Sequence, residues 1–396
     1  MKILLANFSK MVQDSGGAAK VFCAFANEMK RRGHKILMLY TDDCAGDFFY
    51  PVDSEIETCN LQRFGEKIIK YPLSYKLLRE IYRPFSKKLA RGINDDFIEK
   101  ILLPNVKVQT EKFQPAVIVC FQPAAAKVFL CDLKINIPVI TMSHGEPEDY
   151  FKTYPPREIP ALEKSSACQV LLPRFTKPLT TRFPNLRVEV IGNVVPQYEE
   201  QADLSAEKSV YKILFIGRLV RGHKRPHLLI EAFAEIAAKY PAWQVEIWGA
   251  EDNLKYTKSL YKQIDKFSLK DRIFIKGTTK NVAQVLKGGD IFVFPSAFEG
   301  WGMTATEAMS MGLPVIAYKS CLAMSELIED GVTGLLCADG ISPLAEKISL
   351  LIENRNLREE IGNAARISVK KYYAENIWNR WENLLETVTK KRDVEN

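Results

Sequence analysis

The chain alternates short apolar runs with longer amphipathic segments from its first residues. Residues 2–6 (KILLA) are typical of a buried strand, residues 15–33 repeat apolar positions at helical spacing and end in glycine, and residues 34–40 are apolar again. This order predicts a β-α-β unit. Further apolar runs of strand length follow at 116–120, 138–142, 169–172 and 187–191. Runs that are apolar throughout are typical of parallel sheets covered on both faces.

The same alternation restarts after a polar segment at 194–210, where we place a domain linker. The predicted strands of this second series are 211–217, 243–249, 272–277, 290–295, 314–318 and 334–337, and the predicted helices are 225–240, 254–267, 281–288 and 303–312. Two doubly wound α/β domains in tandem follow from the pattern. The tail is predicted to be helical, with Trp378 and Trp381 on an apolar face that needs a partner.

Composition agrees with two buried cores, since 47% of the 396 residues are apolar and 26% are charged. The eight cysteines are scattered, without a C-x-x-C pair or a Cys/His cluster, so neither a disulfide framework nor a zinc site is indicated. No apolar run has the length of a membrane span, and the first residues turn polar too soon for a signal peptide. We therefore expect a reduced protein of the cytoplasm.

The formal net charge of +7 predicts attraction to anions, and the excess is partly local. Residues 66–92 hold eight Lys/Arg against two Glu, interleaved with Ile, Leu, Tyr and Phe. Two interpretations stay open. The segment is a helix that lies on an anionic membrane, which places the protein at the inner face of the plasma membrane, or it is a solvated helix whose apolar face packs on its own domain. A nucleic-acid partner is not expected.

The candidate chemistry centres on residues 294–317, FPSAFEGWGMTATEAMSMGLPVIA. Ligands of open parallel sheets collect beyond the carboxyl ends of strands, where helix N-termini present free amides. Glu299 follows a predicted strand, and Glu307 lies one turn inside the next helix. Two such carboxylates suit the hydroxyls of a sugar and of a ribose around a diphosphate. The glycines allow a tight turn, and main-chain amides would face a phosphate; these residues are Gly300, Gly302, Met303 and Thr304.

A single glutamate of this kind is usually an ordinary surface residue. Here the pair comes with P-S, E-G, G-x-x-x-x-E-A-M and G-L-P-V-I-A in fixed order, and this E-x7-E pattern resembles the signature of GT-B retaining glycosyltransferases of family 4. The resemblance implies that Glu299 contacts hydroxyls of the donor sugar and that Glu307 holds the ribose. It also implies two Rossmann-like domains facing across a cleft: residues 1–200, completed by a C-terminal helix 373–396 that crosses back, and residues 201–372.

A second match is FIGRLVRGHKRPHLLIEAF at 215–233, which resembles the G-R-L of the family followed by lysine and a helix. Gly217, Arg218 and Lys224 come just past a predicted strand, where two cations would clamp a diphosphate; taken alone they also fit two solvated cations at a helix start. The sequence departs from the family because Lys224 lies six residues after Arg218 and Arg225 replaces a glycine. Arg225 or Arg221 is then a candidate to share the role of the lysine.

Weaker candidates come from other strand ends. Gly16 and Gly17 resemble the G-G-A loop of the family, which approaches the donor diphosphate and the acceptor, and are not a dinucleotide G-x-G-x-x-G. His144 stands where family members often place a histidine that contacts the donor sugar or phosphate. Gly277 and Thr278 are candidates for the nucleotide base, with uracil expected. The predicted catalytic set is Glu299, Arg218, Lys224 and His144.

The resemblance implies transfer of a sugar from a nucleotide diphosphate sugar, expected to be a UDP-sugar, to a hydroxyl of a glycan or lipid-linked acceptor of the bacterial envelope. No D-x-D occurs in the sequence, so we expect no metal and no other cofactor. Two alternatives stay open: a sugar-nucleotide 2-epimerase of the same fold, and a catalytically inactive sugar-binding scaffold. An NAD-dependent dehydrogenase lacks its glycine fingerprint here.

Overall fold

The chain consists of two compact units. The computed structural model describes residues 1–251 and 253–395, with the side chains of Phe64 and of residues 391–395 left aside. One unit comprises Met1–Gly192 and Trp378–Asn396, and the other comprises Asn193–Ile377. The chain thus passes from one unit to the other between Gly192 and Asn193 and returns between Ile377 and Trp378, where the sequence analysis places the divisions at 200/201 and 372/373.

A seven-stranded parallel sheet forms the centre of the first unit, in the order β3-β2-β1-β6-β7-β8-β9. The strands of this unit are β1 (Lys2–Asn7), β2 (Lys35–Tyr40), β3 (Glu57–Asn60), β6 (Val117–Cys120), β7 (Val139–Met142), β8 (Ala167–Val170) and β9 (Val188–Val190), and β4 (Arg63–Phe64) and β5 (Lys67–Ile68) pair as a small antiparallel ribbon. Central strands such as VIVC and VITM are buried at every position, as a sheet covered on both faces requires.

Helices cover this sheet: α1 (Gly17–Arg31), α2 (Leu73–Tyr82), α3 (Lys87–Phe97), α4 (Leu103–Phe113), α5 (Pro123–Lys127), α6 (Glu148–Thr153), α7 (Ile159–Lys164) and α8 (Lys177–Arg182). The core includes Leu4, Leu37 and Ile118 from the sheet together with Val106 and Phe129 from the helical side. α1 buries Ala19, Phe22, Phe25, Ala26 and Met29, which recur at helical spacing.

The second unit has a six-stranded parallel sheet in the order β12-β11-β10-β13-β14-β15. Its strands are β10 (Tyr211–Ile216), β11 (Trp243–Trp248), β12 (Ile273–Gly277), β13 (Ile291–Phe294), β14 (Val315–Tyr318) and β15 (Leu335–Cys337). Its helices are α9 (Pro226–Ile236), α10 (Leu254–Lys266), α11 (Val282–Lys287), α12 (Met303–Ser310), α13 (Leu322–Leu327), α14 (Ile341–Glu353) and α15 (Arg355–Ser368). The prediction of two Rossmann-like α/β domains is confirmed.

Each sheet has one point at which consecutive connections run in opposite directions. In the second sheet β10 lies between β11 and β13, so the chain leaves β10 towards one edge and later returns to its other side. In the first sheet β1 lies between β2 and β6 in the same way. The loops after the two strands at such a switch point diverge and leave a crevice, which is where ligands of doubly wound sheets bind.

The last helix, α16 (Ala374–Glu395), places Trp378 and Trp381 in the first unit. The Phe25 ring of α1 contacts Trp378 and Trp381 edge-on, with ring centroids 5.7 and 4.9 Å apart. Arg32 and His34 pair with Glu382 on the same helix. The apolar face of the tail therefore has the partner that the sequence required. Within the described part of the chain, no helix has the length and apolar character needed to cross a membrane.

Residues 66–92 differ from the single basic helix that their composition predicts. They form part of the β4–β5 ribbon, then α2, a joint at Pro84 and Phe85, and the start of α3. Proline is excluded from a helix interior because it lacks an amide hydrogen and its ring clashes with the preceding turn. The side chain of Ser86 then caps α3 by accepting a hydrogen bond from the Leu89 amide.

Candidate active site

The Glu299 loop begins where β13 ends and runs into α12. Its last residue, Gly302, has a φ of 85°, and a Cβ at this position would lie 2.4 Å from Cε of Met324. Glycine is therefore favoured by the backbone conformation, and a Cβ here would also force the end of the Met324 side chain to move. No side chain caps the N-terminus of α12, and the Thr304 hydroxyl donates a hydrogen bond to the Ile216 carbonyl at 2.9 Å. The first turn of α12 is thus fixed to the end of β10, at the switch point.

Glu299 is held by two basic side chains from the loop after β10. The Lys224 ammonium lies 2.5 Å from Oε1 of Glu299, and Nε2 of His223 lies 3.3 Å from the same oxygen. The two loops are also joined through the backbone, because the Ala297 amide donates to the His223 carbonyl at 2.8 Å. The Lys224–Glu299 pair is therefore formed by residues 75 positions apart, brought together by the adjacency of β10 and β13.

The charge state of Glu299 follows from these contacts. Burial alone would raise its pKa, but the Lys224 charge and the His223 hydrogen bond outweigh burial and lower the pKa to about 2. The side chains of Lys224 and Glu299 are 15% and 10% exposed, so solvent screens the pair weakly. Glu299 is consequently a fixed anion at any physiological pH.

The contact of His223 with Glu299 was not predicted from the sequence. Its ring stacks on that of Phe298 with centroids 4.2 Å apart and planes within 3°, and Nε2 lies 2.7 Å from the Phe298 carbonyl oxygen. The Phe298 side chain is itself exposed. The signal available in the sequence was adjacency to Lys224, which does not by itself indicate contact with a loop that follows another strand.

The three arginines near Lys224 have different surroundings. Arg225 has a φ of 51°, which accounts for the glycine that the family places here, and its guanidinium binds the Pro295 carbonyl and Asp339. Arg225 therefore braces the Glu299 loop and does not replace Lys224 beside the carboxylate. Arg218 is exposed directly after β10, and within the described chain no side chain pairs with its guanidinium. Arg221 is also exposed.

Glycines bring the neighbouring strand ends close together. The Gly217 amide donates to the Trp248 carbonyl at 2.9 Å, and the Gly249 amide donates to the Gly277 carbonyl at 2.8 Å. A Cβ on Gly249 would lie 1.9 Å from the Gly217 carbonyl oxygen, so no larger residue fits. Gly277 has a φ of 71° and is followed by the exposed Thr278. The ends of β10, β11 and β12 are thereby linked into one edge.

Glu307 lies on α12 as predicted, but its side chain is buried, with 2% exposed. Burial, together with the charge of Glu307, raises the pKa of the Tyr198 hydroxyl well above its usual range, so these two side chains are neighbours. The Met311 amide donates to the Glu307 carbonyl in the regular helical manner. The contact of Glu307 with a ribose stays a prediction.

The remaining candidates belong to the first unit. Gly16 precedes α1, and its amide donates to Oδ1 of Asp14 at 2.8 Å, while Gly17 is the first residue of the helix. His144 follows β7 and stacks on Phe121 with ring centroids 5.2 Å apart. Within the described chain its buried Nε2 has no hydrogen-bond partner, and burial lowers its pKa to about 4, so the imidazole is neutral at pH 7.

This architecture is the GT-B fold, and comparisons with known proteins agree. Residues 196–368 match the model of the family Glycosyl transferases group 1. The structure of Alr3699/HepE from Anabaena, in complex with UDP and glucose, superposes with a TM-score of 0.72 at 18% identity, covering 98% of this chain and 99% of that one. The predicted GT-B fold is thus confirmed, and the family model falls on the unit that holds Lys224 and Glu299.

Two curated relatives are similar over a shorter stretch. The chain is 31% identical over 208 residues to the poly(ribitol-phosphate) alpha-N-acetylglucosaminyltransferase of Staphylococcus aureus, covering 52% of this chain and 41% of the relative. It is 30% identical over 141 residues to the lipopolysaccharide core biosynthesis mannosyltransferase LpsB of Rhizobium meliloti, covering 34% and 40%. The chain spans less than half the length of these two relatives.

Proposed function

We propose that the protein is a retaining glycosyltransferase of family 4 that uses a nucleotide diphosphate sugar, with UDP as the nucleotide. The observation that carries the proposal is the Lys224–Glu299 pair at the switch point of the second sheet, beside the uncapped N-terminus of α12. The match of this unit to group 1 glycosyl transferases supports it, as does a neighbour of the same fold that binds UDP and glucose.

In this proposal cations and main-chain donors hold the diphosphate. Lys224 is fixed by Glu299. Arg218 is exposed just past the end of β10. The amides of Gly302, Met303 and Thr304 and the dipole of α12 add positive potential. Glu299 then accepts hydrogen bonds from hydroxyls of the donor sugar, and Glu307 accepts them from the ribose. Gly277 and Thr278 contact the base. In the first unit, His144, a neutral imidazole that can accept or donate one hydrogen bond, and Gly16 with Gly17 stay the proposed ligand-contacting residues.

The reaction follows from this arrangement. The bond between the anomeric carbon and the diphosphate oxygen breaks with both electrons passing to the diphosphate, whose growing negative charge is stabilised by Arg218, Lys224 and the helix amides. The acceptor hydroxyl attacks the oxocarbenium-like carbon from the face that the diphosphate leaves, and its proton passes to a phosphate oxygen. Configuration is retained without a protein nucleophile. We propose that no metal is required, since fixed cations supply the positive charge.

We propose a hydroxyl of a glycan or lipid-linked acceptor in bacterial cell-envelope synthesis, with the protein working on the cytoplasmic side of the membrane. The two curated relatives support this class, because one is named as a poly(ribitol-phosphate) N-acetylglucosaminyltransferase and the other as a mannosyltransferase of lipopolysaccharide core biosynthesis. A sugar-nucleotide epimerase of the same fold would instead release a changed nucleotide sugar without any acceptor.

The test is nucleotide release by the purified chain from a panel of UDP-, GDP- and ADP-sugars in the presence of EDTA, measured by mass spectrometry. UDP release from at least one UDP-sugar is expected. Glu299→Gln and Lys224→Met should each lower the rate by about 100-fold or more, because preorganised charge at the leaving group contributes strongly to rate enhancement in such enzymes. Glu360→Gln, an exposed glutamate of the same unit, is the matched control and should leave the rate unchanged.

Three results would contradict the proposal. Activity that depends on added manganese would overturn the metal-free mechanism. Conversion of the donor sugar without release of nucleotide would indicate an epimerase. A sugar-binding scaffold would be indicated if the protein bound a UDP-sugar tightly but turned over no combination of donor and acceptor, and if Glu299→Gln left the binding affinity unchanged.

A further inference from the structure

One surface of the first unit exposes large apolar side chains in a way found nowhere else in the described chain. Of the seventeen exposed large hydrophobic residues, seven fall within residues 73–89, and the other ten are spread over the remaining described residues. We call these seven the α2–α3 surface: Leu73, Leu77, Leu78, Ile81, Tyr82, Phe85 and Leu89. Single exposed apolar residues are normal, but a contiguous group marks an interaction surface.

The geometry of α2 rules out packing of this surface on its own domain. α2 has no fully buried residue, and its inner side is formed by Tyr75, which contacts Phe97 and Tyr71 through ring edges. Leu73, Leu77 and Ile81 recur every four residues and lie on the side opposite Tyr75. Leu73 is 81% exposed and Phe85 is 85% exposed. The alternative of a solvated helix that packs its apolar face inward is therefore wrong for these residues.

Positive charge surrounds the apolar residues. Residues 73–91 contain six Lys/Arg and one Glu, and that Glu80 already pairs with Arg79 and Arg83. Lys76, Arg79 and Arg83 share one flank of α2 because they are spaced by three and four residues. Lys87 and Lys88 open α3, directly after Phe85. The stretch thus accounts for a net +5, against +7 for the whole chain.

We propose that the α2–α3 surface docks the protein on a bilayer of anionic lipids. Apolar side chains of an interfacial helix enter the boundary between headgroups and acyl chains, while flanking Lys and Arg remain at the level of the phosphates. A second copy of the chain is a poorer occupant. A two-fold dimer places the same surface on both partners, so the Lys and Arg side chains that flank it would face those of the second copy.

The test is co-sedimentation of the full chain with vesicles, without any nucleotide or acceptor. Vesicles of equal parts phosphatidylcholine and phosphatidylglycerol should bind the protein, phosphatidylcholine alone should bind it much less, and high salt should release it. Leu77→Glu/Ile81→Glu/Phe85→Glu should reduce binding by about tenfold or more. Leu77→Gln/Ile81→Gln separates loss of apolar contact from added negative charge and should also reduce it. Circular dichroism checks that each variant is folded.

Two matched controls come from α10, which also has exposed apolar and basic residues. Leu254→Glu/Tyr261→Glu should not change vesicle binding. Lys255→Gln/Lys258→Gln/Lys262→Gln lowers the net charge as much as Arg83→Gln/Lys87→Gln/Lys88→Gln, but only the second set should weaken binding.

An equal loss of vesicle binding in the α10 lysine variant and in the Arg83/Lys87/Lys88 variant would show that net charge alone attracts the protein, and would overturn the proposal. Absence of vesicle binding would also overturn the proposal. If the chain then formed a concentration-dependent dimer that the triple glutamate variant abolished, the surface would be assigned to a second copy. Because the assay needs no sugar chemistry, its failure is distinct from failure of the proposed activity.

Discussion

Replacing Lys224 by methionine removes the ammonium that lies 2.5 Å from Oε1 of Glu299 and keeps a side chain of similar length. Glu299 then stays buried with His223 as its remaining basic contact. Its ordinary pKa of 4.5 is lowered to about 2 in the folded chain, a net difference of about 3 kcal/mol, because burial, which raises the pKa, is outweighed by the contacts with Lys224 and His223. Lys224→Met should therefore destabilise the second unit at pH 7 by about 2–3 kcal/mol.

The pH dependence has a definite sign. A carboxyl whose folded-state pKa is lowered contributes stability that is complete above the unfolded pKa, here 4.5, and that is lost as the pH falls through the folded pKa of about 2. The difference in unfolding free energy between the wild type and Lys224→Met should thus be full at pH 6–7 and shrink steadily below pH 5. Exposed Lys319→Met should show no such difference at any pH.

Urea unfolding followed by tryptophan fluorescence is a suitable assay, because Trp243, Trp248 and Trp301 all belong to the second unit. Each transition is fitted separately if the two units unfold in separate steps. Glu299→Gln and the double variant complete the cycle and isolate the pair. A coupling energy below about 0.5 kcal/mol, or parallel pH curves for the wild type and Lys224→Met, would refute the assignment of a tight pair.

Other consequences are equally direct. Gly249→Ala should lower the free energy of unfolding by about 2 kcal/mol or more, because its methyl group would lie 1.9 Å from the Gly217 carbonyl oxygen. Gly222→Ala is the control in the same urea assay, because its methyl group would meet nothing within 4 Å. Equal stability of the two variants would contradict the close approach of Gly249 to Gly217. Trp381→Ala should destabilise the first unit by about 3–5 kcal/mol by removing the ring that contacts Phe25, whereas exposed Tyr373→Ala should not. Burial and the neighbouring Asp95 raise the pKa of Glu158, so stability should fall as the pH rises above 4.5 towards that raised value. Glu158→Gln should therefore remove this slope and stabilise the protein at neutral pH by about 1 kcal/mol or more, measured as the change in Tm between pH 5 and 8; an unchanged slope would show that the carboxyl is not the source.

Much of the site was predictable because its parts are local. The strand IFVF, the glycine-broken turn and the helix that begins at Met303 follow one another within a short stretch, so the position of Glu299 at a strand end follows from the periodicity of the chain. The same holds for Arg218 after β10. The break in residues 66–92 is equally present in the sequence, because Pro84 cannot stand in the interior of a helix.

The contacts between distant residues were not predictable. His223 touches Glu299 because β10 and β13 are neighbours in the sheet, and strand order depends on how all the strands and helices pack together. The exposure of Leu73, Leu77 and Ile81 is another example. Their spacing predicts an apolar helix face, but whether that face is covered depends on which element lies against it, and here Tyr75 on the other side makes the contact with the domain.

The sequence by itself determined the two alternating α/β series and the strand ends after which Glu299, Arg218 and Lys224 lie. It also determined that the last helix has an apolar face that must be covered. These properties depend on the order of apolar and polar residues over a few turns, where backbone geometry alone sets the period. Only the tertiary structure decided that Lys224 and His223 hold Glu299, that Arg225 braces the loop, and that the α2–α3 surface stays exposed. Pairing and burial are properties of neighbours in space, because the energies of charges and apolar groups depend on the surroundings that remove water from them.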